Sequence, residues 1–265
     1  MDKRYRKIQP VRRKITVSAE KKAKLRNRLC LILCSFFLIW ALLGFIRSDF
    51  FSIKHFVIDG NTHTPESELQ LALLVEEGDN IWQLSMDTLE ERIGKIPRVA
   101  EVSVRRKLPA TLVIDVQEKK PLALVPFQEY LFEVGYDGEI LGTTQEPQNY
   151  GLPMLTGIMP LELTVGDVIL SDVLLTQVIS AIKALDEANV VVSELNLATE
   201  NNLVLVTMDG FTVWLGLDNF TDKVSLLTQI IGQLSGRQAQ GYLDLRAPAA
   251  PAFHVIQPEK APKNN

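Results

Sequence analysis

The sequence predicts an α+β protein: a single N-terminal transmembrane helix, then two outer domains that mix strands and helices. Three observations predict it. One uncharged apolar run, LCLILCSFFLIWALLGFI at residues 29–46, lies near the N-terminus. Charge divides on either side of that run. Residues 1–28 carry 12 Lys and Arg against Asp2 and Glu20, and the rest of the chain holds 16 basic and 30 acidic side chains. Beyond the run, alternating β-prone stretches are interleaved with amphipathic helical stripes. The 265 residues are 46% apolar and 23% charged, which excludes a disordered or fibrous chain.

At about 1.5 Å rise per residue the apolar run is ~27 Å long, close to a hydrocarbon core of about 30 Å. Arg28 and Arg47 bracket it, and such side chains snorkel to headgroups. The excess of Lys and Arg before it keeps that side cytoplasmic and sends residues 47–265 outward. A cleaved signal peptide is the competing reading. Against it, the basic region is too long, the apolar run exceeds the usual length, and no A-x-A site follows. A buried soluble helix is the other alternative. The basic tail, residues 1–28, reads as disordered and attracted to anionic lipid. Nucleic acid is the alternative ligand for such charge, but Tyr5 supplies the tail's one aromatic ring, so no nucleic acid is expected. Cys30 and Cys34 share one helix face and read as small packing residues, with acylation of Cys30 as the alternative. They are the chain's two cysteines, so the outer part has no disulfide, no Cys-ligated zinc and no thiol nucleophile.

The first outer domain is expected at residues 51–119. Residues 53–59 (IKHFVID) read as a strand ending at the Gly60-Asn61 turn. Thr64 is placed as an N-cap with Pro65 at the first helical position, and Leu69, Ala72 and Leu73 form one apolar face. Ser85 caps a second helix, with Met86, Leu89, Ile93 and Ile96 along it and Pro97 as its stop. Ala100, Val102 and Val104 then alternate with Glu101, Ser103 and Arg105. After a turn at Pro109, Leu112, Ile114 and Val116 alternate with Val113, Asp115 and Gln117. Two such runs around a short turn read as a hairpin. The order is β-α-α-β-β, two helices on one face of a three-stranded sheet.

These residues carry a resemblance. A basic tail, one span, then Phe51, Ile53, Gly60 and Asn61 is similar to the start of the outer part of the bacterial cell division family FtsQ/DivIB. Pro97-Arg98-Val99, Val102-x-Val104-Arg105, Leu108-Pro109-x-Thr111-Leu112 and Val116-x-Glu118-x-x-Pro121 resemble the end of that family's POTRA domain. Arg98 stands where the family has an aromatic residue, and Lys107 departs from the usual residue before Leu-Pro. The resemblance implies a bitopic, non-enzymatic scaffold of the divisome. Its implied partners are the small coiled-coil proteins FtsB (or DivIC) and FtsL, and its implied place is the septum, where it would recruit peptidoglycan synthesis.

The second outer domain is expected at residues 120–257, with a disordered tail at 258–265. Short β runs at 122–125, 130–134, 139–141 and 154–155 are punctuated by turns at Asp137-Gly138 and at 147–151. A helix over 171–188 presents Leu174, Val178, Ile182 and Leu185. Strands over 194–197 and 203–207 follow, the latter paired with 211–215 through Met208-Asp209-Gly210. A helix over 219–234 carries Phe220, Val224, Leu227, Ile231 and Leu234, a stripe read as packing on the sheet, since two heptads are too few for a coiled coil. Ser235-Gly236 ends it. Residues 242–246 (YLDLR) form the next strand and resemble the family's Y-x-D-x-R. Pro248 and Pro251 break the pairing before 252–256 (AFHVI), a short terminal strand. A terminal strand after such a break lies at a sheet edge, open to strand addition by a partner. The resemblance makes Ala252, Phe253, His254 and Val255, with Tyr242 and Arg246, the candidate partner-binding residues. The alternative for Phe253 is a core position. Gly60, Pro97, Val99, Arg105 and Pro109 are structural motif residues.

Chemistry is thin in the sequence. His55, His63 and His254 lack metal-site spacing. No G-x-S-x-G elbow and no phosphate loop occurs. Glu76-Glu77 and Glu90-Glu91 are neighbours that do not face each other on a helix, and read as solvated surface. No cofactor, metal or catalytic residue is expected. An anchored cell-wall enzyme with two distant carboxylates is the alternative from another class. A secretion factor is a third, although the second domain lacks a series of lipid-facing strands.

Overall fold

The computed structural model describes residues 19–145, 151–158, 160–199, 202–208, 210–234 and 241–255. The basic tail up to residue 18, Asp209, the turns at 147–150 and 235–236, Ile256, and the tail at 258–265 lie outside the described residues. The chain forms two compact units that interleave in sequence.

The first unit consists of the described residues up to His55 together with Glu76–Leu84 and Arg106–Leu112. Its main element is α1 (Ala19–Ile46), which contains the one helix among the described residues long and apolar enough to cross a membrane, Lys22–Ile46. A 3₁₀ turn at Asp49–Phe51 follows. The next segment is tied to residues 76–84 by backbone bonds: Ile53 N–H to Asp79 O, 2.9 Å, Gly78 N–H to Ile53 O, 3.0 Å, and Ile81 N–H to Phe51 O, 3.0 Å. Ile53 is therefore buried in a loop contact, and the strand expected from residue 53 begins two residues later.

The second unit holds Phe56–Val75, Ser85–Arg105 and the described residues from Val113 onward. Along the chain run β1 (His55–Asp59), α2 (Glu66–Leu73), α3 (Met86–Ile93), β2 (Val99–Lys107) and β3 (Thr111–Glu118), with sheet order β1-β3-β2. The β-α-α-β-β order is the expected one. Its core includes Leu69, Leu73, Leu89, Ile93, Val99, Val104, Ile114 and Val116, all buried.

Details differ from expectation for local reasons. Pro65, not Thr64, is the N-cap of α2, at φ −60°, ψ 139°, and no side chain caps that end; the Thr64 N–H donates instead to Glu118 Oε1 at 2.7 Å. Ser85 does cap α3, accepting from Thr88 N–H at 3.4 Å. That helix ends at Ile93, which leaves Ile96 beyond it and Pro97 clear of it. Ala100 is exposed and Val102 half-buried, so Val99 and Val104 carry the burial of β2. Glu90 is not simply solvated: its Oε1 accepts the Val104 N–H at 2.8 Å and ties α3 to β2.

The remaining elements are β4 (Pro121–Phe127), β5 (Tyr130–Gly135), β6 (Ile140–Thr144), β7 (Met154–Thr156), α4 (Asp172–Glu187), β8 (Val192–Thr199), β9 (Asn202–Thr207), β10 (Thr212–Gly216), α5 (Phe220–Leu234), β11 (Gly241–Asp244) and β12 (Ala252–Val255). They build a nine-stranded sheet in the order β12-β11-β10-β9-β8-β7-β4-β5-β6. The sheet is mixed: β4–β7, β7–β8 and β10–β11 are parallel, and the other pairs antiparallel. Residues 122–125 of β4 are buried on both faces, the signature of an interior strand. Val178, Ile182 and Leu185 of α4, and Phe220, Val224 and Leu227 of α5, join one core with Leu195, Leu205, Val213 and Leu243. Within the α5 stripe, Lys223 is 1% exposed; its ammonium donates to Leu215 O at 2.7 Å and pairs with Asp218, tying the helix to the end of β10.

Candidate functional site

An open sheet edge offers unpaired backbone groups, and this sheet has two. The β6 edge is partly occupied. Ile140 donates to Asp167 O at 2.8 Å, and Gly166 donates back to Ile140 O at 2.9 Å, while Glu139 bridges Val168. At the other edge β12 pairs antiparallel with β11 and has no second strand neighbour among the described residues.

The direction of each backbone group on β12 follows from the ladder. Leu245 N–H donates to Trp214 O at 2.9 Å, so odd residues of β11 face β10 and even ones face β12. Tyr242↔His254 and Asp244↔Ala252 are therefore the hydrogen-bonded pairs, in the observed register. Phe253 and Val255 then direct their N–H and C=O groups to the open edge. The two faces of the strand separate in the same way. Phe253 turns its ring to the helix side, packs against the main core and lies 6.2 Å from the Phe211 ring. The core alternative holds for that side chain, while its backbone stays at the edge.

On the opposite face, Trp214, Tyr242 and His254 form a column across β10, β11 and β12. Trp214 and Tyr242 stack at 5.3 Å with 24° between planes, and Tyr242 and His254 at 4.5 Å with 16°. The Arg246 guanidinium caps the column 4.7 Å above the Trp214 ring. Arg246 also grips Asp244, its Nη2 2.6 Å from Oδ2 and its Nε 3.0 Å from Oδ1. Those bonds from Arg246 hold the Asp244 carboxyl below the usual carboxylate range, while burial pushes the other way. Cross-strand stacking and a bidentate pair fix rotamers that would otherwise be lost on binding. The structure thus brings Tyr242, His254 and Arg246 together beside the edge. Ala252 is half-buried on the same strand, and Val255 pairs Gly241. Trp214 and Asp244 complete the group. The sequence pattern does not single out Trp214, because its neighbour β11 lies beyond α5 and the parallel register cannot be read from spacing.

The motif residues stand at turns and on strands of the first outer domain. Gly60 sits at φ 89°, and a Cβ there would lie 2.0 Å from Val116 O. Val99 is buried, Pro97 follows α3, and Pro109 lies in the turn between β2 and β3. Arg105 pairs with Asp115 on the outer face. Glu118 accepts the N–H groups of Thr62, His63 and Thr64 at 2.7–3.1 Å. Arg98 is not a neutral replacement for an aromatic residue. Its Nη2 is 2.6 Å from Glu133 Oε2, with side chains 8% and 2% exposed, and Gly142 leaves it room: a Cβ there would be 2.6 Å from Nη2. Among the described residues no group of three or more His, Cys, Asp or Glu is placed to hold a metal ion.

Comparison with known proteins agrees with these motifs. The family model for the POTRA domain, FtsQ-type, matches residues 51–119, and the one for cell division protein FtsQ/DivIB, C-terminal, matches residues 125–246. Cell division protein FtsQ of Syntrophotalea carbinolica is 27% identical over 198 residues, 72% of this chain and 68% of that protein. Cell division protein DivIB of Bacillus subtilis is 21% identical over 223 residues, 84% of this chain and 82% of that protein. The solved major extracytoplasmic domain of DivIB from Geobacillus stearothermophilus matches at 19% identity with a TM-score of 0.29, covering 46% of this chain and 98% of that one. With both of its domain models matched in order behind one apolar helix, the chain belongs to the FtsQ/DivIB family of bacterial cell division proteins.

Proposed function

We propose that this protein is a non-enzymatic scaffold of the divisome that captures a small bitopic coiled-coil partner of the FtsB/DivIC type by adding a strand to β12. The single observation that carries the proposal is the open β12 edge flanked by the Arg246–Trp214–Tyr242–His254 column. Main-chain bonds to Phe253 and Val255 would supply affinity, and the column would read alternate partner side chains. In this reading α1 spans the cytoplasmic membrane with its N-terminus inside. The outer domains sit at the septum and join FtsB/DivIC and FtsL to septal peptidoglycan synthesis, and the basic tail rests on anionic lipid.

The test is a titration of the full chain, in lipid nanodiscs, with the purified coiled-coil partner. Val255→Pro removes an edge donor that β11 does not use. It is expected to weaken binding at least about tenfold, or 1.4 kcal/mol, with an unchanged melting temperature. Equal affinity for Val255→Pro and the unaltered chain would sink the proposal.

A further inference from the structure

We propose that the anchor-proximal tip of the first outer domain, loops 76–84 and 106–112, is seated in the outer lipid interface of the bilayer that α1 spans. The inference rests on the spanning reading of α1 and adds a second membrane contact to it.

No slack separates the tip from the helix. Arg47 still donates to Leu43 O, and Ser48 donates to Phe45 O through both its N–H and its hydroxyl. Asn80 Nδ2 caps α1 by donating to Ile46 O at 2.9 Å. Loop 76–84 is therefore fixed at the depth where the apolar run ends. Aromatic rings fill that level. Phe45, on the last turn of α1, lies 5.5 Å from Phe50 and 5.3 Å from Phe51, and Phe51 lies 5.9 Å from Trp82. Arg106 holds the second loop to the first, its Nε donating to Ile81 O at 2.9 Å and its guanidinium 5.9 Å from the Trp82 ring. Phe50 is 55% exposed, Trp82 44% and Leu108, in the turn after Arg106, 50%.

A water-facing tip has no reason to expose two aromatic rings on one aromatic cluster, with Leu108 exposed on the loop that Arg106 holds to it. The bilayer interface is the environment that favours them, because an amphipathic ring there buries its body and wets its edge. Headgroup regions extend several Å beyond the hydrocarbon on each side, enough for rings spaced this closely. Charge is not the attraction. In the outer residues of this unit Arg47, Lys54, Arg106 and Lys107 are balanced by Asp49, Glu76, Glu77 and Asp79. The occupant is thus the lipid interface itself, not an anionic headgroup.

The chain has three tryptophans, which allows a direct test. In phosphatidylcholine nanodiscs, Trp40→Phe with Trp214→Phe leaves Trp82 as reporter, and Trp82→Phe with Trp214→Phe leaves Trp40. Trp40 is expected to be quenched by lipids brominated at mid-chain, since it lies ~9 Å before the end of α1. Trp82 is expected to be quenched by lipids brominated near the glycerol, equally with and without phosphatidylglycerol. Leu108→Asp should remove most of that quenching. Quenching of Trp40 with none at Trp82 would overturn the proposal while α1 still spans, and would leave the patch to a protein partner. Loss of both signals would overturn the spanning reading as well. Quenching of Trp82 that needs phosphatidylglycerol would overturn the aromatic basis.

Discussion

At the end of β3 one carboxylate holds three successive backbone N–H groups. Glu118 sits 54–56 residues from its partners at 62–64, so its hydrogen bonds close the loop between β1 and α2. Burial raises its pKa, but the bonds from Thr64 and His63 outweigh this and hold it below the usual glutamate range. A lowered folded value means stability that is present above the ordinary carboxylate range and lost as pH falls through the lowered value. Glu118→Gln should therefore cost about 1–2 kcal/mol near neutral pH, and that gap should close in acid, as measured by urea unfolding at several pH values. Gly60 is as constrained. A side chain there meets both a positive φ and the Val116 carbonyl, so Gly60→Ala should cost about 1–3 kcal/mol in the same assay. The sequence shows both residues as motif letters. It does not show why they are needed, because the atoms they meet are distant in the chain.

Among elements, the contact between the start of β2 and β5 is the one that sequence pattern misreads. Arg98 stands in an aromatic position, yet it pairs with Glu133 in the interior, and its Nη1 is buried with no partner among the described residues. Removing one ion of a buried pair is worse than removing both, because the survivor keeps its desolvation cost. Arg98→Met is expected to cost about 3–5 kcal/mol, with most of that recovered in Arg98→Met/Glu133→Leu, read as a coupling in a double-mutant cycle. β2 itself calls for a second correction. Val102 is half-buried and Val104 buried, so Val104→Asp should lower the melting temperature more than Val102→Asp does. The helices were legible: Ser85 and Ser171 as caps and the stripes of α4 and α5 follow from local rules, which do not depend on partners. The Arg98 pair was not legible, since burial of a charge depends on which strand comes to meet it.

For the whole molecule, the order of nine strands decides what the C-terminal segment can do. Alternation and turns locate most strands to within two residues, but the parallel β7–β8 and β10–β11 pairs depend on crossovers through α4 and α5 that spacing does not encode. That order leaves β12 at the edge and sets its parity. The parity in turn separates the roles of its residues: the Phe253 side chain turns inward, His254 lies outward beside Tyr242 of β11, and the Phe253 and Val255 backbone groups point away from β11. Phe253→Asp is therefore expected to lower stability as well as binding, which makes it a poor probe of the interface. His254→Ala, which removes only the last ring of the column, should weaken the partner complex and leave the unfolding midpoint nearly unchanged.

Strand addition at β12 would be read residue by residue in amide hydrogen exchange of the full chain with and without the coiled-coil partner. The Phe253 and Val255 amides are expected to become strongly protected in the complex, while Ala252 and His254, already bonded to β11, change little. A complex that forms with the Phe253 and Val255 amides exchanging as fast as in the free protein would contradict it.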